Sequence, residues 1–227
     1  MTIVPVGFAE KLPANRVMRT WVDGNELVVW RSASGKLSAW GNRCPHRGMR
    51  LSYGFVRGET LACIYHGWHY GVDGACKFIP AHPELDPPKT ISNTSHFVME
   101  ESGVLWISTS GPSEPPKLLE SLVPVRSINF ECSVNSLIEA LHENPITDEN
   151  GIELSSLNAP RQEMILNYEA TKSDYRVVLL IQVVSSNSAN AYILCSKNWS
   201  ASGKISISRW SDAVQRLTDS LSHGEVS

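Results

Sequence analysis

No stretch of this 227-residue chain is apolar for long enough to cross a bilayer as a helix. The longest apolar run, 177–184, is interrupted by Gln182 and falls far short of the roughly 20 residues a span requires. Residues 1–13 lack a basic start followed by an apolar core, so no secretory leader is expected and the chain reads as cytoplasmic. Neither sign of charge is in excess. Twenty Lys and Arg against 23 Asp and Glu leave a net charge of −3, which gives no reason to expect nucleic acid or an anionic membrane as partner. Internal repeats and low-complexity tracts are absent as well. Cysteine is scarce, five in all. Cys76, Cys132 and Cys195 are scattered and read as reduced structural thiols. The other two keep different company.

Cys44 and His46 lie in CPHRG, and Cys63 and His66 lie in CIYHGWHY, with sixteen residues between His46 and Cys63. Two thiolates and two imidazoles on two short loops are what a Rieske [2Fe–2S] cluster requires: the cysteines hold one iron and the histidines the other. Thiolates suit the iron that stays ferric, whereas neutral imidazoles lower the negative charge on the iron that is reduced. A structural zinc ion also takes Cys2His2, but the single residue between Cys44 and His46 departs from the usual zinc spacing. Each loop runs on into a glycine, Gly48 or Gly67, which permits a tight turn. Amides exposed in such turns can point at bridging sulfides as a nest points at an anion. Downstream come Trp68-His69-Tyr70, an Asp73-Gly74 turn signal and Ile79-Pro80.

On these residues, 1–110 resembles the Rieske domain of Rieske non-haem iron oxygenases, whose ring-hydroxylating and demethylating members read CxHRG…CxYHGWxY…G…IP. The resemblance implies Cys44, His46, Cys63 and His66 as cluster ligands. The respiratory, high-potential type has an extra Cys in each loop and a Ser after the second His-Gly; here Met49, Tyr65 and Trp68 stand at those positions. Fewer hydroxyl hydrogen bonds imply a low potential, suited to electrons from a ferredoxin or a flavin-dependent reductase. Tyr65 is a candidate to hydrogen-bond near a cluster sulfur, and Arg47 to steer an acidic redox partner, each with a plain packing or surface role as its alternative. Trp68 and Pro45 are expected to shield the cluster. His69, His82 and His96 read as structural or exposed.

The first half patterns as β throughout, with strands expected at 19–22, 26–31, 37–40, 60–62, 77–79 and 104–108. The Pro-rich segment 111–117 reads as a linker. In 118–227, strands are expected at 128–132, 161–172, 175–184 and 189–197. A helix is expected at 134–143, and a closing helix with Ile207, Trp210, Val214, Leu217 and Leu221 along one face. The fold class is mainly β with an α+β second unit. The resemblance implies a Rieske β-sandwich followed by a shortened, helix-grip-like catalytic-type domain.

The resembled oxygenases carry a second, mononuclear iron on a two-His, one-carboxylate face, with a carboxylate one turn before the first His linking the two centres. Here the segment from Cys132 admits two registers. Without a gap, Glu143 takes the bridging position and Ile146 stands where the first His belongs. Alternatively Glu139 bridges and His142 is the first ligand, with Thr147 or Asp148 in place of the second. Asp212 is a candidate for the late carboxylate. Neither register completes the triad, so mononuclear Fe(II) is doubtful.

Three functions follow. The first is a single-electron carrier of the Rieske oxygenase family, serving an oxygenase subunit or working within a homo-oligomer, its own mononuclear site lost. The second is a complete monooxygenase, hydroxylase or demethylase for a small aromatic or methylated substrate with substitute ligands. The third is a non-redox auxiliary subunit.

Overall fold

The computed structural model describes residues 3–118, 122–157, 165–169 and 174–224. The chain divides into two compact units, Met1–Pro115 and Pro116–Ser227.

Ten strands make the first unit: β1 (Ile3–Phe8), β2 (Arg16–Val22), β3 (Asn25–Arg31), β4 (Leu37–Gly41), β5 (Phe55–Arg57), β6 (Thr60–Ala62), β7 (His69–Gly71), β8 (Cys76–Phe78), β9 (Ser95–Glu101) and β10 (Val104–Ser108). An antiparallel sheet runs in the order β1-β10-β9-β4-β3-β2, and a small four-stranded sheet, β5-β6-β7-β8, is inserted between β4 and β9. The period-2 alternation of β3 shows why the large sheet is apolar on both sides. Leu27 and Val29 join a core with Val6, Leu12, Leu105 and Ile107. Val28 and Trp30 face the other way, into a core shared with Trp40, Leu51, Leu61, Tyr70, Cys44 and Cys63. The cysteines of both motifs are thus seated on the floor between the two sheets.

In the second unit β11 (Leu122–Phe130), β12 (Ser155–Leu157), β13 (Ile165–Glu169), β14 (Arg176–Ser185) and β15 (Ser188–Ser196) form an antiparallel sheet ordered β11-β15-β14-β13-β12. The helices are α1 (Val134–Glu143) and α2 (Ala201–Gly224). Helix α1 starts where expected: Ser133 Oγ caps the Ser136 amide at 3.1 Å, and Leu137, Ala140 and Leu141 turn one face into the core. Pro145, which cannot continue a helix, follows Asn144 at its end.

The face of α2 differs from expectation. Ile207 and Val214 are buried, but Leu217 is 40% exposed, and Ser211 and Thr218 are buried in its stead. The inward stripe runs 207, 211, 214, 218, with Trp210 packed against the core beside it as expected. The two hydroxyls bond back to carbonyls of their own helix, Ser211 to Ser208 at 2.7 Å and Thr218 to Gln215 at 2.8 Å, so small polar residues are buried without loss of partners. The side chain of Leu221 lies outside the described residues, as do 161–164 and 170–172 of the strand expected over 161–172. No helix of the described residues is long and apolar enough to cross a membrane.

Candidate metal centre

Two loops of the same build carry the four motif residues. The first follows β4 and bears Cys44 and His46; the second joins β6 to β7 and bears Cys63 and His66. In each, the cysteine amide donates to the carbonyl five residues on: Cys44 to Met49 at 2.8 Å and Cys63 to Trp68 at 2.9 Å. In each, a glycine amide donates back to the cysteine carbonyl: Gly48 to Cys44 at 2.8 Å and Gly67 to Cys63 at 3.0 Å. That closure needs φ of +69° at Gly48 and +68° at Gly67, a region glycine enters without steric cost.

The sulfurs are buried together. Burial above all pushes the Cys63 thiol above its ordinary range; the amides of Tyr65 and His66, donating to its sulfur, pull it down, and neighbouring Cys44 adds to the rise. A buried thiol that resists ionisation calls for cationic charge beside its sulfur. The imidazoles form a second pair, ring centroids 4.7 Å apart, with His46 stacked flat on Trp68 at 4.2 Å. Burial, then the charges of His66 and Arg47, hold the His46 imidazole below its usual range, which favours the neutral ring a metal needs. Its buried Nδ1 has no hydrogen-bond partner. An unpartnered buried nitrogen with a lone pair is costly unless a ligand takes it, so the residues present fit a metal centre.

Among the described residues, no group of three or more His, Cys, Asp or Glu is placed to hold a single metal ion; the thiols of Cys44 and Cys63 neighbour each other, as do the rings of His46 and His66.

Residues 2–92 match the family model of the Rieske [2Fe-2S] domain. This part of the chain is a Rieske [2Fe–2S] domain. The chain is 34% identical over 149 residues to oxidoreductase NdmD of Pseudomonas putida, covering 62% of this chain and 25% of that protein. It is 34% identical over 113 residues to a 3-chlorobenzoate-3,4-dioxygenase oxygenase subunit of Comamonas testosteroni, covering 48% and 26%. It thus matches about a quarter of the length of these relatives. The solved structure of NdmA from Pseudomonas putida CBB5 superposes with a TM-score of 0.74 at 20% identity, over 96% of this chain and 81% of that one, a likeness of fold.

Within the Rieske domain, one residue near the cysteines was not singled out from the sequence. Tyr70, on β7, places its hydroxyl 3.1 Å from Cys44 Sγ. Burial first, then Cys44, pushes its phenol far above the ordinary range, so it keeps its proton and is a donor to a thiolate. Strand β7 carries no alternation that marks it, since His69 is half-buried and Gly71 is buried like Tyr70 itself. Tyr65 reaches a sulfur through its amide, while its ring, 57% exposed, stacks on His66 at 3.9 Å. Arg47 and Pro45 are exposed, as is His66. His69 is structural, its Nδ1 2.9 Å from Thr60 Oγ1.

In the second unit the candidates for mononuclear iron do not gather. Glu139, His142 and Glu143 are exposed on α1, opposite its buried face. Ile146 is 1% exposed within the apolar core. Asp212 pairs with Arg126 at 2.7 Å, and Asp148 Oδ1 caps the turn amides of Asn150 and Ile152 at 2.8 Å.

Proposed function

We propose that this chain is a single-electron carrier of a Rieske oxygenase system, with Cys44, His46, Cys63 and His66 as ligands of a low-potential [2Fe–2S] cluster and no mononuclear iron of its own. Bound there, the cluster supplies one-electron uptake and release. The observation that carries the reading is the packing around α1. Ile146, at the first-His position of one register, is part of the apolar core, and His142, at that position in the other, is exposed. Asp212 already neutralises a guanidinium.

The chain's own residues fit the rest of the role. Exposed His66 and Tyr65 bring a ligand edge to the surface, where a carrier must be approached. Among residues 43–70, Arg43 and Arg50 pair with Glu26, while Arg47 and Arg57 stand exposed. These two cations favour encounter with an acidic donor, a ferredoxin or a flavin-dependent reductase. The electron then passes to an oxygenase site on a different subunit. Five free, buried cysteines among the described residues suit a reducing compartment.

The test is nitric oxide binding to the iron-loaded, reduced protein. A carrier shows no mononuclear iron–nitrosyl resonance; such a signal, with a third iron per chain, would restore the oxygenase with substitute ligands.

A further inference from the structure

We propose that Glu26 is a positioning residue for the iron–sulfur centre: it clasps both stems of the first ligand loop, through Arg43 and Arg50, and thereby sets how that loop seats the centre and how readily the centre is reduced. The proposal rests on the ligand assignment above. Arg43 immediately precedes Cys44, and Arg50 immediately follows Met49, whose carbonyl closes the loop. Glu26 lies on β3 of the large sheet. Its two oxygens accept from Arg50 Nε at 2.9 and 3.0 Å, and Oε2 lies 3.7 Å from Arg43 Nη2. Arg43 leans over the loop, Nη1 donating to the Gly48 carbonyl at 3.3 Å. From β2, Arg19 reaches Oε1 at 3.5 Å.

A second tie lies beneath the first. The Glu26 carbonyl accepts from the Asn42 amide at 2.9 Å. Asn42, fully buried, donates to Ser52 Oγ at 2.9 Å and accepts from the Ser52 amide at 2.8 Å. Residues 42 and 52 are thus fastened to each other, and 43 and 50 to one carboxylate between them.

Exposed ion pairs ordinarily contribute little. This one differs in that its anchor is only 15% exposed while its partners reach outward, and in that both loop arginines adjoin the ligand segment. Burial tends to raise the Glu26 pKa, but the Arg50 hydrogen bond and the charges of Arg50, Arg43 and Arg19 outweigh it, so the anchor is ionised at neutral pH. It also compensates three guanidiniums beside the loop. Without its charge, their field would favour the more negative, reduced state.

The experiment compares Glu26→Gln, Arg50→Gln and Glu100→Gln in the full chain carrying its cluster. Glu100 pairs with Arg31 at 2.7 Å on the large sheet and is the control for loss of an ion pair elsewhere. Glu26→Gln and Arg50→Gln are each expected to release iron to a chelator about tenfold faster, as loss of an outer-shell partner does. Both should change the g-values of the reduced state. The reduction potential should rise in Glu26→Gln and fall in Arg50→Gln, opposite shifts that loosening alone would not produce. Glu100→Gln should match the wild type throughout. Wild-type iron release, resonance and potential in Glu26→Gln overturn the proposal, as does a shift of the same sign in both loop variants. Cys44→Ser separates the layers: the assigned ligand's loss abolishes the native signal, and a retained signal overturns the ligand assignment and the proposal with it.

Discussion

Tyr70 sets its hydroxyl oxygen 3.1 Å from the Sγ of Cys44, with both side chains buried. A phenol that stays protonated there would donate to the Cys44 thiolate of the proposed cluster, and more strongly once that centre carries the extra electron. Tyr70→Phe removes the donor and keeps the ring that meets Trp40 edge-on at 6.3 Å. The reduction potential should fall by an amount on the order of tens of millivolts, given that 59 mV is tenfold for one electron. Redox titration followed by visible absorbance reads it; an unchanged or raised potential contradicts the role.

His46 carries a pH dependence. Burial, then the charges of His66 and Arg47, depress its folded pKa below the ordinary value of 6.5. Stability held in the neutral ring is therefore fully present above that value and is lost as pH falls from it through the depressed one. A proton at Nδ1 also competes with iron. Iron release should accelerate as pH drops below about 6.5, measured with a chelator across buffers of constant ionic strength. Arg47→Gln removes one repulsive charge, so its profile should move to higher pH. A flat profile would show that this ring does not hold iron.

Ile146 is packed among apolar neighbours of the second unit. Ile146→Ala should destabilise that unit by about 2–5 kcal/mol through lost burial and a residual cavity. Denaturant unfolding reads the change. An effect below about 1 kcal/mol would mean the position is not the core residue described.

Asp212 bonds Arg126 near the surface of that same unit. Asp212→Asn should leave iron content unchanged and cost at most about 1 kcal/mol, as half-exposed pairs do. Loss of one iron per chain would make it a ligand.

Much of this was open to sequence reasoning because its signals are local. Each ligand loop is a short motif closed by its own glycine, so Cys44, His46, Cys63 and His66 stand out without tertiary information. Helix α1 is bounded by a serine cap and Asn144-Pro145, and both marks are written in the chain. Other elements escaped for physical reasons. Strand β1 carries Pro5 and Gly7, which weaken a strand pattern, and its register shifts between them; pairing with β10 overrides that local weakness. Strand β9 reads SHFVMEE, too polar and too evenly half-buried to alternate. Strands β5 and β7 are three residues long and hold only because neighbouring strands pair with them. Tyr70 and Glu26 act through partners 26 and 24 residues distant, contacts that no spacing rule within a motif reveals. On α2, leucine content suggested a face that serine and threonine in fact occupy, because hydroxyls bonded to their own helix can be buried.

The most direct test of the electron-carrier account is a reductive titration of the anaerobic protein, with iron and acid-labile sulfide determined on the same sample. The account expects two irons and two sulfides per chain, uptake of a single electron, and a paramagnetic resonance signal that appears with that electron. A colourless protein without sulfide, or one taking up no electron, would contradict it.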